Sequence, residues 1–377
     1  MTVIFNLTAA QPVAGQAFHG GGSYAENVYR NLVNATDVIG VYDSSRALAA
    51  DIPTLPGQLV DINNETPQEL LTRTGAGTIF NPVDFPDKSW WIDAPRYLMT
   101  WHGPRSLEIA RDSARRHYVT GPMQKAKSVM ANTSAAQYLG RTRTAKQTAD
   151  FLAKFHIEFS TNTNHSKYSI LNFYPEIRAS QINVFYPPSE ENDYATPLAT
   201  PPEKYFLLTS AGRWEKNAYR AIQALDSLYS EGRLTDTKTI LTGVNQPETL
   251  QKSIRNPELF DFKGYVSRED LGILHANAYA FVYPSLNEGF GYPPLQSMAA
   301  GVPVIASGIT SIPEVLGDAA ILFDPYSVTE IRNRLLQLSD PTIYDDYRQR
   351  GLVRYQQVKA RQDADLSRLI AWIAAGQ

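Results

Sequence analysis

Glu288 opens the run "EGFGYPPLQ" and Gln296 closes it, eight positions later. Between them stand Gly289, Phe290 and Gly291, whose amides can face a ligand, since glycine puts no side chain in the way. Pro293 and Pro294 fit a helix start, and Gly301 fits its C-terminal cap. Gln296 then lies about one turn into the helix, on the side that can look back at the loop. Glu288 and Gln296 can therefore reach opposite ends of one elongated ligand, with Leu295 between them to pack on a ribose or base. An ordinary strand–turn–helix accounts for the prolines and Gly301, but not for an acid beside Gly-Phe-Gly.

Arg213 and Lys216 come straight after the strand-like "YFLLTSAG" and ahead of a helical pattern. Two cations at a helix start suit a diphosphate. The competing reading is a solvated turn whose charges pair with Glu215. Earlier, Gly20, Gly21 and Gly22 follow the first strand and precede a helix, and Ser23 with Glu26 makes a capping-box pattern. Amides there can approach an anion, favoured by the helix dipole. A loop with no ligand explains the same glycines, and the spacing is not the G-x-G-x-x-G dinucleotide fingerprint. His102 follows "YLMTW" and precedes a Gly-Pro turn. An imidazole there can donate to a sugar hydroxyl or act as acid or base, or it can be merely structural.

The elements that must carry these residues alternate. "TVIFNL", "VIGVY", "GTIFNP", "RYLMTW", "KSVMANT" and "HIEFST" read as buried strands, with "SYAENVYRNLV" a helix between the first two. Such alternation implies βαβ units and a parallel sheet. The proline- and acid-rich "VFYPPSEENDYATPLATPPEK" reads as a linker. A second alternating series follows, from "YFLLTSAG" to "AAILFDP", and helical stretches close the chain near 347–359 and 366–374. Two α/β domains result, which the length of 377 residues accommodates. In such sheets ligands bind outside the carboxyl ends of the strands, where all the residues above fall.

Composition narrows the classes. Apolar residues make up 43% of the chain, and no run has transmembrane length. The start "MTVIFNLTAA" reads as a strand and lacks the basic lead of a signal peptide. Absence of cysteine excludes thiol chemistry, disulfides and Cys-bound zinc, and fits a reducing cytoplasm. A net charge of −3 argues against nucleic-acid binding by the whole chain. The charge is uneven, however: Arg105, Arg111, Arg115, Arg116, Lys125, Lys127, Arg141, Arg143, Lys146 and Lys154 are opposed only by Glu108, Asp112 and Asp150. This run is either a solvated helical face or a patch that meets anionic lipid or a pyrophosphate-bearing acceptor.

The segment "EGFGYPPLQSMAAGVPV" resembles the retaining glycosyltransferases of family 4, whose pattern is a Glu, seven residues, then a second Glu. "GRWEKN" resembles that family's diphosphate segment, and the stretches "FKGYVSREDLGILHANAYAFVYPSLNEG" and "SIPEVLGDAAILFDP" resemble its surroundings. "HGGGSYAENVYRNL", "TWHG" and "INVFYPP" stand in the expected places of the N-terminal half. The resemblance implies the GT-B fold: two Rossmann-like domains with parallel sheets facing across a cleft. These would be an acceptor-binding domain over 1–190 and a nucleotide-sugar domain over 191–354, with a final helix from about 355–377 packing back on the first. It implies that Glu288 contacts donor-sugar hydroxyls, that the amides of Phe290, Gly291 and Tyr292 lie by the sugar and pyrophosphate, and that Arg213 and Lys216 hold the diphosphate as it leaves. Gly21 and Gly22 would approach from the other domain, His102 would touch the transferred sugar, and Val266 would sit by the base.

One position departs from the pattern: Gln296 stands where the second Glu normally binds ribose hydroxyls. An amide still accepts one hydrogen bond and donates another, but loses the charge-assisted bond. The only Asp-x-Asp, Asp363 and Asp365, falls in a helical pattern where the side chains diverge. The expectation is transfer of a hexose (mannose, glucose or a related sugar) from a GDP- or UDP-linked donor to a glycan or lipid-linked glycan hydroxyl, with retention and without an essential metal or other cofactor. The setting would be bacterial surface polysaccharide or glycolipid assembly, in the cytoplasm at the inner face of the membrane. The rivals are a sugar-nucleotide-binding protein without turnover and a phosphorylase or epimerase of the same fold.

Overall fold

The computed structural model describes residues 2–12, 20–48, 52–53, 58–189 and 204–375. The linker expected across 184–204 thus lies for the most part outside the described residues. The chain divides into two compact units. One comprises Met1–Leu107, Arg141–Pro188 and Ala360–Gln377; the other comprises Glu108–Gly140 and Ser189–Lys359.

Among the described residues the first unit holds seven parallel strands: β1 (Val3–Asn6), β2 (Val38–Tyr42), β3 (Leu59–Asp61), β4 (Thr78–Asn81), β5 (Arg96–Thr100), β6 (Ile157–Thr161) and β7 (Ile182–Val184). Their order across the sheet is β3-β2-β1-β4-β5-β6-β7. Val3 pairs with Val38 on one side and with Thr78 on the other. β1, β4 and β5 are buried throughout. This is why they read as unbroken apolar runs, as strands covered on both faces do. In that core Phe5 meets Tyr29 edge-on and Phe80 at a tilt, with ring centroids 5.2 and 5.3 Å apart.

The second unit repeats the plan with β8 (Lys204–Leu208), β9 (Thr237–Leu241), β10 (Phe260–Phe262), β11 (Ala280–Tyr283), β12 (Val304–Ser307) and β13 (Ile321–Phe323), in the order β10-β9-β8-β11-β12-β13. The helix Ala218–Ser230 covers it through Ala218, Ala221, Ile222, Leu225, Leu228 and Tyr229, all buried at the three-to-four spacing of one helical face. Each buried leucine or isoleucine among these contributes roughly 1.5–3 kcal/mol. In each unit the chain winds outward in both directions from a central pair, β1 beside β4 and β8 beside β11. These are the switch points where the carboxyl ends of neighbouring strands diverge and leave a crevice.

Three expectations are corrected. "KSVMANT" is no strand: it falls largely within the helix Pro122–Ala131, begun by Pro122 and carried by strong helix formers. Its Val129 and Met130 are exposed instead of buried. Residues 108–140, read as part of the N-terminal domain, pack with the second unit. The two closing stretches are one helix, Pro341–Ala374, which belongs to the second unit up to Lys359 and to the first from Ala360. Its last turns are tied down in the first unit. Asp365 accepts the Tyr186 amide at 2.9 Å, and Arg96 donates to the carbonyls of Trp372 and Ala375 at 2.9 and 2.7 Å.

Candidate functional site

At the switch point of the second unit, the turns that follow β8 and β11 meet. The first ends in the short 3-10 helix Trp214–Lys216, and the second carries 284–291. Lys216 Nζ lies 2.5 Å from Glu288 Oε1, and Ser285 Oγ donates to the same carboxylate oxygen at 2.6 Å. The Lys216 ammonium also sits 5.3 Å above the Tyr283 ring and 3.4 Å from its hydroxyl. The side chains of Lys216 and Glu288 are only 13% and 8% exposed, so this is a largely desolvated ion pair. Two residues 72 positions apart are thus brought together. Arg213 is different: its side chain is 59% exposed and pairs with Glu215 at 2.5 Å.

Backbone and side-chain ties stitch the two turns to each other. Leu286 N donates to Glu215 O at 2.8 Å. Asn217, at φ 55°, donates to the carbonyls of Pro284 and Pro325 at 3.1 and 2.7 Å. Asparagine tolerates this left-handed backbone better than most residues. Ser311 Oγ donates to Glu288 O at 2.9 Å, and Glu288 N donates to Thr310 Oγ1 at 3.3 Å. The Glu288 backbone is therefore held from the β12 side as well.

Beyond Glu288, Gly291 adopts φ 104°, which strains any side-chain-bearing residue, and caps the helix Tyr292–Ala299. That helix ends in a Schellman motif: Gly301 N bonds Met298 O and Val302 N bonds Ser297 O, at 3.0 and 2.9 Å. Phe290 is buried and meets Tyr292 edge-on at 5.3 Å. Gln296 is half-buried. Leu295, expected to wall a ribose or base, is 1% exposed and turns inward with Pro294 and Met298; the helix spends that face on its own core. Beneath the helix, His275 Nδ1 lies 2.7 Å from Ser297 Oγ, and burial holds its imidazole down at about 3. Val266 is half-buried between β10 and the helix Arg268–Asn277.

In the first unit, His102 follows β5 and is buried. Asn162 Nδ2 lies 2.6 Å from its Nδ1 and Pro82 O lies 3.3 Å from its Nε2. With that amide orientation Nδ1 accepts and Nε2–H donates. Its backbone amide donates to Asp84 Oδ1 at 2.9 Å. Gly20, Gly21 and Gly22 are not a loop: they form the first turn of the helix Gly20–Leu32. Ser23 and Glu26 accordingly lie inside that helix and not at its cap. A Cβ on Gly22 would lie 2.7 Å from Ala10 O, so its lack of a side chain serves close backbone packing. Gly21 is half-buried in the same turn.

Other members of the second site carried no motif. Tyr283 ends the strand β11 and Ser285 follows it, and neither belongs to a recognisable pattern. Arg220 donates to both Asp112 oxygens, at 2.7 and 2.8 Å, and to Asn217 Oδ1 at 2.9 Å. Burial alone pushes the Asp112 carboxyl up, but the Arg220 guanidinium and the Ala114 amide outweigh it and hold it below the usual range. Among the described residues no three His, Asp or Glu side chains gather as a metal site, and no helix is long and apolar enough to cross a membrane.

The family model described as Glycosyl transferases group 1 matches residues 190–351. The chain is 47% identical over 97 residues to the O-antigen chain mannosyltransferase B of Escherichia coli, a match covering 26% of each protein. It is 32% identical over 161 residues to the serotype-specific mannosyltransferase WbdA of Escherichia coli, covering 41% of this chain and 20% of WbdA. These matches span about a fifth to a quarter of the length of those relatives. The structure superimposes on that of Anabaena HepE in complex with UDP and glucose with a TM-score of 0.67, at 14% identity, over 98% of this chain and 99% of the other. That likeness shows a shared architecture, two parallel-sheet α/β domains of the GT-B fold. The Lys216–Glu288 pair falls within the residues that the glycosyl transferases group 1 model matches.

Proposed function

We propose that this chain transfers a hexose from a nucleoside diphosphate sugar to an acceptor hydroxyl, with retention, in polysaccharide or glycolipid assembly. The observation that carries the reading is the desolvated Lys216–Glu288 pair at the β8–β11 switch point of a group 1 domain. The mannosyltransferase relatives favour a mannosyl donor. Lys216 offers a fixed cation to the diphosphate, with Arg213 exposed at the same turn, and Glu288 offers a carboxylate to sugar hydroxyls. In a same-face route the bond from the sugar's anomeric carbon to the phosphate oxygen breaks while the bond to the acceptor oxygen forms, and the acceptor proton passes to the departing phosphate. Charge builds on that phosphate, so a preorganised cation lowers the barrier more than it tightens the ground state. The two cations take the charge role a metal would otherwise fill. The amides of Phe290, Gly291 and Tyr292, which follow Glu288 in the chain, would lie by the sugar and pyrophosphate; His102 would touch the transferred sugar, Gly21 and Gly22 would approach the phosphates, Val266 would sit by the base and Gln296 by the ribose.

A place at the inner membrane face is part of the proposal. Between Asp112 and Asp150 there is no acidic residue. The same stretch exposes Met123, Val129, Met130, Tyr138 and Leu139 beside Lys125 and Lys127. Apolar side chains interleaved with cations suit an anionic lipid surface and a lipid-linked acceptor.

Gln296 favours one rival, sugar-nucleotide binding without turnover. Release of GDP from GDP-mannose and of UDP from UDP-glucose, measured with and without a mannan oligosaccharide, decides between them. Release stimulated by acceptor supports transfer. Binding of either nucleotide without release overturns it.

A further inference from the structure

We propose that Asp112, which lies far from the recognised motif in sequence, is a positioning residue for the Lys216–Glu288 pair. The proposal rests on the reading that this pair serves the donor. Asp112 reaches the site through a continuous chain of short contacts inside the second unit. Its carboxylate takes both Arg220 terminal nitrogens at 2.7 and 2.8 Å, and the side chain is 2% exposed. Arg220 Nη1 also donates to Asn217 Oδ1 at 2.9 Å, and its guanidinium lies over the Tyr326 ring at 5.3 Å. Asn217 is the residue directly after Lys216, holds a left-handed backbone, and bonds the carbonyls of Pro284 and Pro325. Asn217 therefore joins the turn bearing Lys216 to the turn bearing Glu288, and Arg220 fixes which way its amide points. The guanidinium at its oxygen and the two carbonyls at its nitrogen together set that orientation, and loss of the guanidinium removes the contact on the oxygen side.

Asp112 is itself held by its own segment. Its amide donates to Asn132 Oδ1 at 3.0 Å, and it accepts from Ala114 N at 2.9 Å. The same segment touches the site at three further points. Glu108 Oε2 accepts from Asn287 Nδ2, next to Glu288, at 2.9 Å. Tyr118 OH accepts from Tyr219 N at 2.8 Å, so one of the first amides of the helix Ala218–Ser230 is already satisfied. Arg115 lies 5.2 Å over the Trp214 ring. Residues 108–118 thus brace the donor turns, and the Asp112–Arg220 pair is the strongest brace because it is bidentate, charged and desolvated.

The test is a set of double-mutant comparisons read by GDP release from GDP-mannose. Asp112→Asn should lower kcat about tenfold to a hundredfold while the donor KM moves less than about threefold, because misplacing a transition-state contact costs turnover before ground-state binding. In a Lys216→Ala background the same substitution should cost less than about twofold more, since it acts through Lys216. Asn217→Gly keeps the left-handed backbone open and removes only the side-chain bridge, so it should reproduce the Asp112→Asn loss even where Asp112→Asn itself folds poorly. Additive losses of Asp112→Asn and Lys216→Ala, or a parental kcat in Asn217→Gly, would overturn the positioning role alone. A parental kcat in Lys216→Ala would overturn the reading of the site, and this proposal with it.

Discussion

Replacing Glu288 by Gln and Lys216 by Met, singly and together, tests whether the site is a coupled buried pair. Removing one member of a buried ion pair costs about 3–5 kcal/mol, because the other is left charged in a medium that solvates it poorly. The two side chains are 8% and 13% exposed and 2.5 Å apart, which places them in that regime. Tyr283 and Ser285 retain part of the interaction with the survivor, at 3.4 and 2.6 Å, so each single change should cost about 3 kcal/mol, the lower end of the range. The double change leaves a neutral amide beside a thioether and no orphaned charge. It should cost about 3 kcal/mol and not about 6, a coupling of about 3 kcal/mol. For a unit of this size each kcal/mol moves Tm by about 2–4 °C, so scanning calorimetry should show each single variant melting about 6–12 °C lower and the double variant no lower than either. Turnover separates stability from function. Lys216→Met should lose about 100- to 1,000-fold in nucleoside diphosphate release, and the double variant should recover none of it. Strictly additive destabilisation would refute the buried pair, and a Lys216→Met enzyme within about threefold of the parent would refute the leaving-group role.

Gln296→Glu should tighten nucleotide-sugar binding about fivefold by restoring a charge-assisted bond to ribose; titration calorimetry with GDP-mannose showing weaker or equal binding would place Gln296 away from the ribose. EDTA should leave GDP release within about twofold, whereas strict recovery on adding magnesium would undo the assignment of the charge role to Lys216 and Arg213. His275 binds its proton only near pH 3 in the folded chain but near 6.5 when unfolded, so its contribution is fully present above about 6.5 and is lost as the pH falls toward 3. Urea titrations should show about 1.4 kcal/mol lost per pH unit through this window in the parent and a flatter profile in His275→Asn; equal slopes would mean another group sets the acid limb. The protein should bind anionic vesicles at low salt and leave them at high salt. Lys125→Glu with Lys127→Glu should weaken that binding while sparing GDP release, and equal binding to neutral vesicles would leave the basic stretch as a solvated helix face. Arg115 is a poorer probe, because it packs over Trp214 beside the site.

The two-sheet plan and the approximate place of the donor turns were legible in the sequence because both are local. A strand buried on both faces must be an apolar run, a turn that needs φ 104° takes glycine at 291, and a helix start tolerates Pro293 and Pro294. The group 1 segment and the cations that follow β8 are therefore visible from residue types and spacing alone. Contacts that close over long separations have no local signature. Lys216 and Glu288, 72 positions apart, meet because parallel strands bring the turns at their carboxyl ends to one switch point, and Asp112 and Arg220, 108 apart, meet because the segment 108–140 packs within the second unit. The same holds for Leu295, whose apolar side chain suits a ligand or a core equally well until the packing of its helix turns it inward. It holds again for "KSVMANT", where a short apolar run is compatible with strand or helix, and the start at Pro122 with the helix formers around it decides for the helix. Ser23 and Glu26 carry the spacing of a capping box, yet both lie inside the helix Gly20–Leu32; spacing states which bonds are available, and the fold selects among them.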